Sequence, residues 1–144
     1  MGLLSSFIEA IVALEVGEYD KAVAFARAAL LMDLADVGGN VKDGCHIASM
    51  GGTWMVLAYG FAGLRDHDGV LSFQPHPPES QSTLKLFLTY RGNVRDIEIN
   101  PELTTYSLRE GERLAFRHRD EHLTLNRANP PVTRPTQQPL QRAG

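Results

Sequence analysis

Apolar residues recur at helical spacing in the first quarter of the chain. Phe7, Ile8, Ile11, Val12 and Leu14 predict one helix, and Val23, Phe25, Ala26, Leu30 and Leu31 a second. Gly17 lies between them, with Glu18 and Asp20 placed to complement the dipole of the second helix, so the pair reads as a helical hairpin. Its apolar faces are wider than a hairpin can bury, which predicts further helices against them and unusual exposure over Phe7 to Leu31 if these are missing. Asp33 to Ile47 has the Asp, Gly and Asn content of a long loop. Ser49 is placed to cap a third helix from about Met50 to Phe61, with Trp54, Leu57, Ala58 and Phe61 on its packed face. Beyond Asp68-Gly69 the period falls to two: Leu71 and Phe73, Leu84 to Tyr90, Ile97 and Ile99, Tyr106 and Leu108, Leu114 and Phe116, Leu123 and Leu125. Turn residues such as Arg91-Gly92-Asn93 and Glu110-Gly111-Glu112 separate these runs, so a small antiparallel β-sandwich or half-sandwich follows. From Arg127 prolines and polar residues replace the period, and 127–144 reads as a disordered tail. The fold class is α+β, with helices over 1–69 and a sheet domain over 70–126.

Composition changes this picture little. A 144-residue chain with 43% hydrophobic content buries at least one core. Its net charge of -3 is spread without a basic block or acidic tail, giving no footprint for nucleic acid or a membrane surface. No apolar run approaches the roughly 20 residues of a membrane span, and no charged leader precedes one. The single cysteine, Cys45, has no internal partner, in keeping with a reducing compartment, so the expected location is the cytoplasm.

Candidate chemistry concentrates in 43–54, reading Asp-Gly-Cys-His-Ile-Ala-Ser-Met-Gly-Gly-Thr-Trp. A loop ending in His46, the Ser49 hydroxyl and the amides of Met50, Gly51 and Gly52 would converge at a helix N-terminus. Unpaired amides and the positive end of the dipole suit phosphate or sulfate, and glycine permits close approach. The bland alternatives are tight packing at Gly51-Gly52 and a structural histidine at His46.

The run DGCHIASMGGTW, continued after Met55 by VLAYGFAGLRDHDGVLSFQP, resembles the C-terminal part of glycoside hydrolase family 65, which includes maltose, trehalose, kojibiose and nigerose phosphorylases. SSFIEAIVALEVGEYDKA and AALLMDL are similar to that family's last barrel helices, and LKLFLTYRG to LTLN to its small C-terminal domain, so the resemblance spans about Leu4 to Asn126. It implies the terminal helices of an incomplete (α/α)6 barrel followed by a β-sandwich-like domain. It also implies attack of inorganic phosphate on an α-linked disaccharide with inversion, a glutamate on an earlier loop protonating the glycosidic oxygen. Phosphate is anionic at neutral pH and needs donors rather than a second carboxylate. On the matching positions, His46, Ser49, Gly51, Gly52 and Thr53 become the phosphate-binding residues. No metal or cofactor is implied.

The general acid and the sugar-binding loops would precede Met1. Glu9, Glu15, Glu18 and Asp20 sit on the hairpin as a solvated face, so no catalytic residue is assigned and the chain alone is expected to be inactive. A partner would be an upstream chain completing the barrel or a second copy. Trp54 is read as core packing, Cys45 as incidental, Arg65-Asp66-His67-Asp68 as hydrogen-bonded domain contacts, and Arg109, Arg113, Arg117 and Arg119 as a solvated sheet face. Two other functions fit: a non-catalytic carbohydrate-binding or interaction remnant, and a fragment of a family hydrolase.

Overall fold

The computed structural model describes residues 3–34, 47–76 and 82–137, with side chains over 6–28, 51–76 and 82–137. The chain divides into two units, Met1–Phe61 and Ala62–Gly144. The division lies upstream of the expected boundary at residue 69. Strand β1, Arg65–His67, is the reason: it pairs with β2, Val70–Phe73, and so belongs to the sheet unit.

In the first unit, α1 spans Leu3–Glu15 and α2 spans Tyr19–Leu34. Gly17, at φ 79°, reverses the chain: its amide donates to Leu14 O and that of Glu18 to Ala13 O, which satisfies carbonyls left open at the end of α1. Lys21 pairs with Glu18 in the first turn of α2. Helix α3 spans Ile47–Met55 and continues as a π-helix over Val56–Phe61. Phe7, Ala10, Ala26 and Val56 form one buried cluster and Ala13, Leu14 and Ala22 another, with Phe61 against both. On the opposite face of α1 Ile8 and Val12 are exposed, along with Val16 and Tyr19 beyond its end. The expected exposure is therefore confined to one side of the hairpin, since its other side packs on α3.

The second unit holds two four-stranded sheets. One has the order β1, β2, β6 (Arg113–His118), β7 (Glu121–Asn126), with β2 and β6 parallel. The other has the order β3 (Leu84–Tyr90), β4 (Asn93–Ile99), β5 (Leu103–Glu110), β8 (Val132–Pro135) and is antiparallel throughout. Leu71, Phe73, Leu114, Phe116, Leu123 and Leu125 of the first sheet and Leu86, Ile97, Ile99 and Tyr106 of the second are buried. The rings of Phe73, Tyr106 and Phe116 meet across the two sheets at 4.8–5.9 Å between centroids. The architecture is the α+β arrangement read from the periods.

The expected tail from Arg127 is corrected over 127–137. Strand β8 lies in it, paired with β5 from Tyr106↔Val132 to Leu103↔Pro135, and Thr136 is fully buried. Thr136 donates its amide to Glu102 O and its hydroxyl to Asn100 O, which leaves the Thr104 hydroxyl to donate to Thr136 Oγ1 at 2.9 Å. Two-period counting misses this strand because Val-Thr-Arg-Pro carries one apolar residue and is held by polar groups. Residues 138–144 lie outside the described residues.

Candidate functional site

The 43–54 segment is seen from Ile47 onward. Asp43 to His46, with Cys45, lie outside the described residues, as does the side chain of Ser49. Ile47 and Ala48 are already helical, so Ser49 lies within α3 and the expected cap at Ser49 is corrected. The register moves the free donors. Residues 47–55 are helical, so the amides of Gly51 and Gly52 are engaged in bonds to the carbonyls of Ile47 and Ala48, four residues back. Any backbone donors of α3 left free therefore lie upstream of the two glycines.

The two glycines differ. Gly51 is exposed, and a Cβ there would meet nothing within 4 Å. Gly52 is buried, and a Cβ there would enter the Phe7 ring, so its lack of a side chain lets α3 close on α1. Thr53 is half-buried. Trp54 is 42% exposed, with Tyr59 edge-on at 5.8 Å, so its expected place in the core is corrected; Val56, Ala58 and Gly60 supply the packed face instead.

A second polar constellation, unmarked by any motif, joins the two sheets. The hydroxyl of Tyr106 on β5 lies 2.7 Å from His118 Nδ1 on β6, and His118 Nε2 lies 3.1 Å from Pro135 O on β8. A carbonyl only accepts, so Nε2 carries the proton and Nδ1 accepts from Tyr106. Burial pushes the His118 pKa down, against the pull of the Pro135 carbonyl, and pushes that of the Tyr106 phenol up. Arg119 follows in the β6–β7 turn at φ 54°, its amide donating to Phe73 O and its Nη2 to Pro75 O at 2.8 Å and Thr136 O at 2.6 Å. Its guanidinium is thus a tie between chain segments, which corrects its assignment to a solvated face. Arg134 grips Glu121 with two bonds, Nε to Oε2 at 2.7 Å and Nη2 to Oε1 at 2.6 Å, and this holds the Glu121 carboxyl below its usual range. A depression of about 260 Å³ opens here, lined by His118, Arg119, Glu121, Arg134 and Gln137 among others.

Arg95 was also missed. It is 0% exposed, its guanidinium lies 5.4 Å from the Phe73 ring and 5.7 Å from that of Phe116, and none of its three nitrogens has a hydrogen-bond acceptor among the described residues. Burial lowers its pKa to about 10. The available signal was parity: Arg95 shares the inward face of Ile97 and Ile99. In the junction run, Asp66 accepts from Tyr90 OH at 3.0 Å, a contact within the sheet unit.

Comparison with known proteins follows the same division. Residues 2–55 match the family model of the glycosyl hydrolase family 65 central catalytic domain, and residues 64–125 that of the family's C-terminal domain. The chain belongs to glycoside hydrolase family 65. An uncharacterized glycosyl hydrolase of Mycobacterium leprae is 40% identical over 129 residues, covering 88% of this chain and 16% of that protein. The α,α-trehalose phosphorylase of Geobacillus stearothermophilus is 38% identical over 114 residues, covering 79% of this chain and 15% of that enzyme. A solved structure assigned as a kojibiose phosphorylase, from the human microbiome, shares the fold at a TM-score of 0.84 and 21% identity, over 93% of this chain and 18% of its own. The chain thus spans about a sixth of the length of these family 65 relatives.

Proposed function

We propose that the chain supplies the phosphate-binding end of an inverting disaccharide phosphorylase, which converts an α-linked disaccharide and phosphate into glucose 1-phosphate and the second sugar. The observation that carries this reading is the match of the central catalytic domain across residues 2–55, which includes the whole of 43–54. The trehalose phosphorylase relative supports the reaction class over hydrolysis. In this reading His46 and Ser49, with backbone amides at the positive end of α3, hold phosphate in line with the anomeric carbon. Gly51 leaves the adjoining helix surface open to substrate, Thr53 borders it, and Gly52 fixes the position of α3 through Phe7. The lone cysteine is in keeping with a cytoplasmic enzyme.

The general acid is taken to come from another part of the catalytic domain, which would also cover the exposed apolar side of α1. The test is phosphate-dependent release of glucose 1-phosphate from maltose, trehalose and kojibiose, with this chain alone and with a polypeptide carrying the rest of the domain. No turnover is expected from the chain alone, and turnover in the pair is expected to fall at least tenfold in His46→Ala and Ser49→Ala. Turnover by the isolated chain, or a pair indifferent to both substitutions, overturns the reading; release of free glucose without phosphate selects a hydrolase.

A second reading rests on Phe87, 62% exposed on the outer face of β3 with the Arg109 guanidinium 4.5 Å from its ring and Asp96 paired to that arginine. An aromatic ring beside paired charges suits a pyranose, and would make the sheet unit a saccharide-binding module. Saccharide binding lost in Phe87→Ala and unchanged in His46→Ala selects it.

A further inference from the structure

Strand β8 is a weak element by its own means. It has four residues, Pro130 and Pro131 precede it, and it ends at Pro135, which has no amide to give to a ladder. Beyond its ladder to β5, the Thr105–Thr133 hydroxyl pair and the bonds of Thr136 to Asn100, Glu102 and Thr104, it is tied to the other sheet: His118 and Arg119 bond the carbonyls of Pro135 and Thr136, and Glu121 takes the Arg134 fork. All three belong to one stretch, His118-Arg119-Asp120-Glu121, at the β6–β7 turn. We infer that this turn is an acid-sensitive clasp, and that proton uptake by His118 releases β8 and the residues through Gln137 from β5.

The hydrogen bonds of His118 set the sign. The neutral ring donates through Nε2 and accepts at Nδ1, where it meets the one acceptor-seeking group at hand, the hydroxyl of fully buried Tyr106. An imidazolium also carries a proton on Nδ1, so two donors face each other and the Tyr106 proton must turn from the only acceptor it has among the described residues. A buried donor left without an acceptor costs about 1–3 kcal/mol. The charges facing the ring do not compensate. Arg119 in the turn and Arg134 on β8 oppose a positive ring; Glu121 on β7 favours it but is already engaged by Arg134, and Tyr106 on β5 is held neutral. Once β8 leaves, His118 loses the Pro135 carbonyl, meets water and regains an ordinary affinity for protons.

The open form therefore binds the proton more tightly. Clasping is fully present above the ordinary histidine value of about 6.5 and is lost as pH falls from there toward the lowered value of the closed form. One proton changes the opening equilibrium by at most about tenfold per pH unit. Glu121, held low by Arg134, stays ionised through that window and adds nothing to the slope. Release would uncover the edge of β5, a row of unpaired amides and carbonyls open to another strand, and would widen the depression beside His118.

Amide exchange on the full chain tests this between pH 7.5 and 5.5, read as protection relative to intrinsic exchange. Protection of the Thr136 amide, bonded to Glu102 O at 2.8 Å, is expected to fall by up to about tenfold per pH unit below 6.5, while amides of the β3–β4 hairpin hold steady. In H118Q the amide still donates and accepts but does not titrate, and the Thr136 profile is expected to be flat. Protection that ignores pH in the wild-type chain, or falls equally in H118Q, overturns the clasp. Should H118Q not fold, titration of the imidazole resonances decides: a His118 midpoint at or above those of exposed His67 and His122 overturns it too.

Discussion

Gly51 and Gly52 are neighbours in sequence with opposite surroundings, and the difference separates a packing role from a ligand role. Gly52→Ala drives a methyl into the Phe7 ring between α3 and α1 and is expected to destabilise the helical unit by about 1–3 kcal/mol, measured by urea unfolding followed at Trp54. Gly51→Ala meets no neighbour and gains helix propensity, so stability is expected to rise by up to about 1 kcal/mol. If phosphate approaches that surface, its affinity falls in the same variant, dissociating binding from stability. Arg95 poses a different balance. Moving an unpaired guanidinium out of water costs several kcal/mol, and two desolvated cation–π contacts of about 2 kcal/mol each return much of it. Replacement by a hydrophobe of similar reach removes both terms, so Arg95→Met is expected to unfold at the same or higher denaturant concentration than wild type. Arg95→Ala, which leaves a void between Phe73 and Phe116, is expected to unfold at least about 2 kcal/mol earlier.

Among the elements, β8 shows how a strand with little hydrophobic pattern can be essential. It completes the sheet of β3, β4 and β5, and Thr136 beyond it fills a buried position bonded to Thr104, Asn100 and Glu102. A chain ending after Ala128 loses the strand, the Pro135 carbonyl that His118 bonds, the Thr136 carbonyl that Arg119 bonds and the Arg134 partner of Glu121. Such a truncation is expected to lower the melting midpoint of the sheet unit by several degrees, read by near-ultraviolet circular dichroism of its tyrosines. A disordered tail would leave that midpoint unchanged. Helix α3 carries a related lesson: Ile47 and Ala48 are already helical, so the amides of Gly51 and Gly52 are engaged within the helix.

For the molecule as a whole, the helical unit has a packed side and an exposed side. Phe7, Ala10 and Leu14 face α2 and α3, while Ile8, Val12, Val16 and Tyr19 face away. If the exposed side seats on the rest of a catalytic domain, the double substitution Ile8→Glu, Val12→Glu leaves the helical circular dichroism of the isolated chain intact. The same change is expected to reduce by more than tenfold the turnover regained with the complementary polypeptide. Equal turnover in wild type and variant excludes that face from the interface.

The apolar periods by themselves determined the two helices of the hairpin, the change from helices to strands in mid-chain, though not the first strand at Arg65–His67, and the α+β class, because burial of one face of an element leaves a repeat that can be counted. Residue runs carried the family resemblance as well, over both structural classes. Tertiary structure alone decided the rest. Arg95 and His118 stand in phase with buried apolar neighbours, but parity says nothing of the rings and the Pro135 carbonyl they meet, Arg119 looks like a solvated turn residue until it ties Pro75 to Thr136, and β8 has no apolar repeat because hydrogen bonds from distant residues hold it. The role of Gly52 likewise exists only where α1 brings Phe7 against it, since a contact between residues 45 positions apart has no local signature.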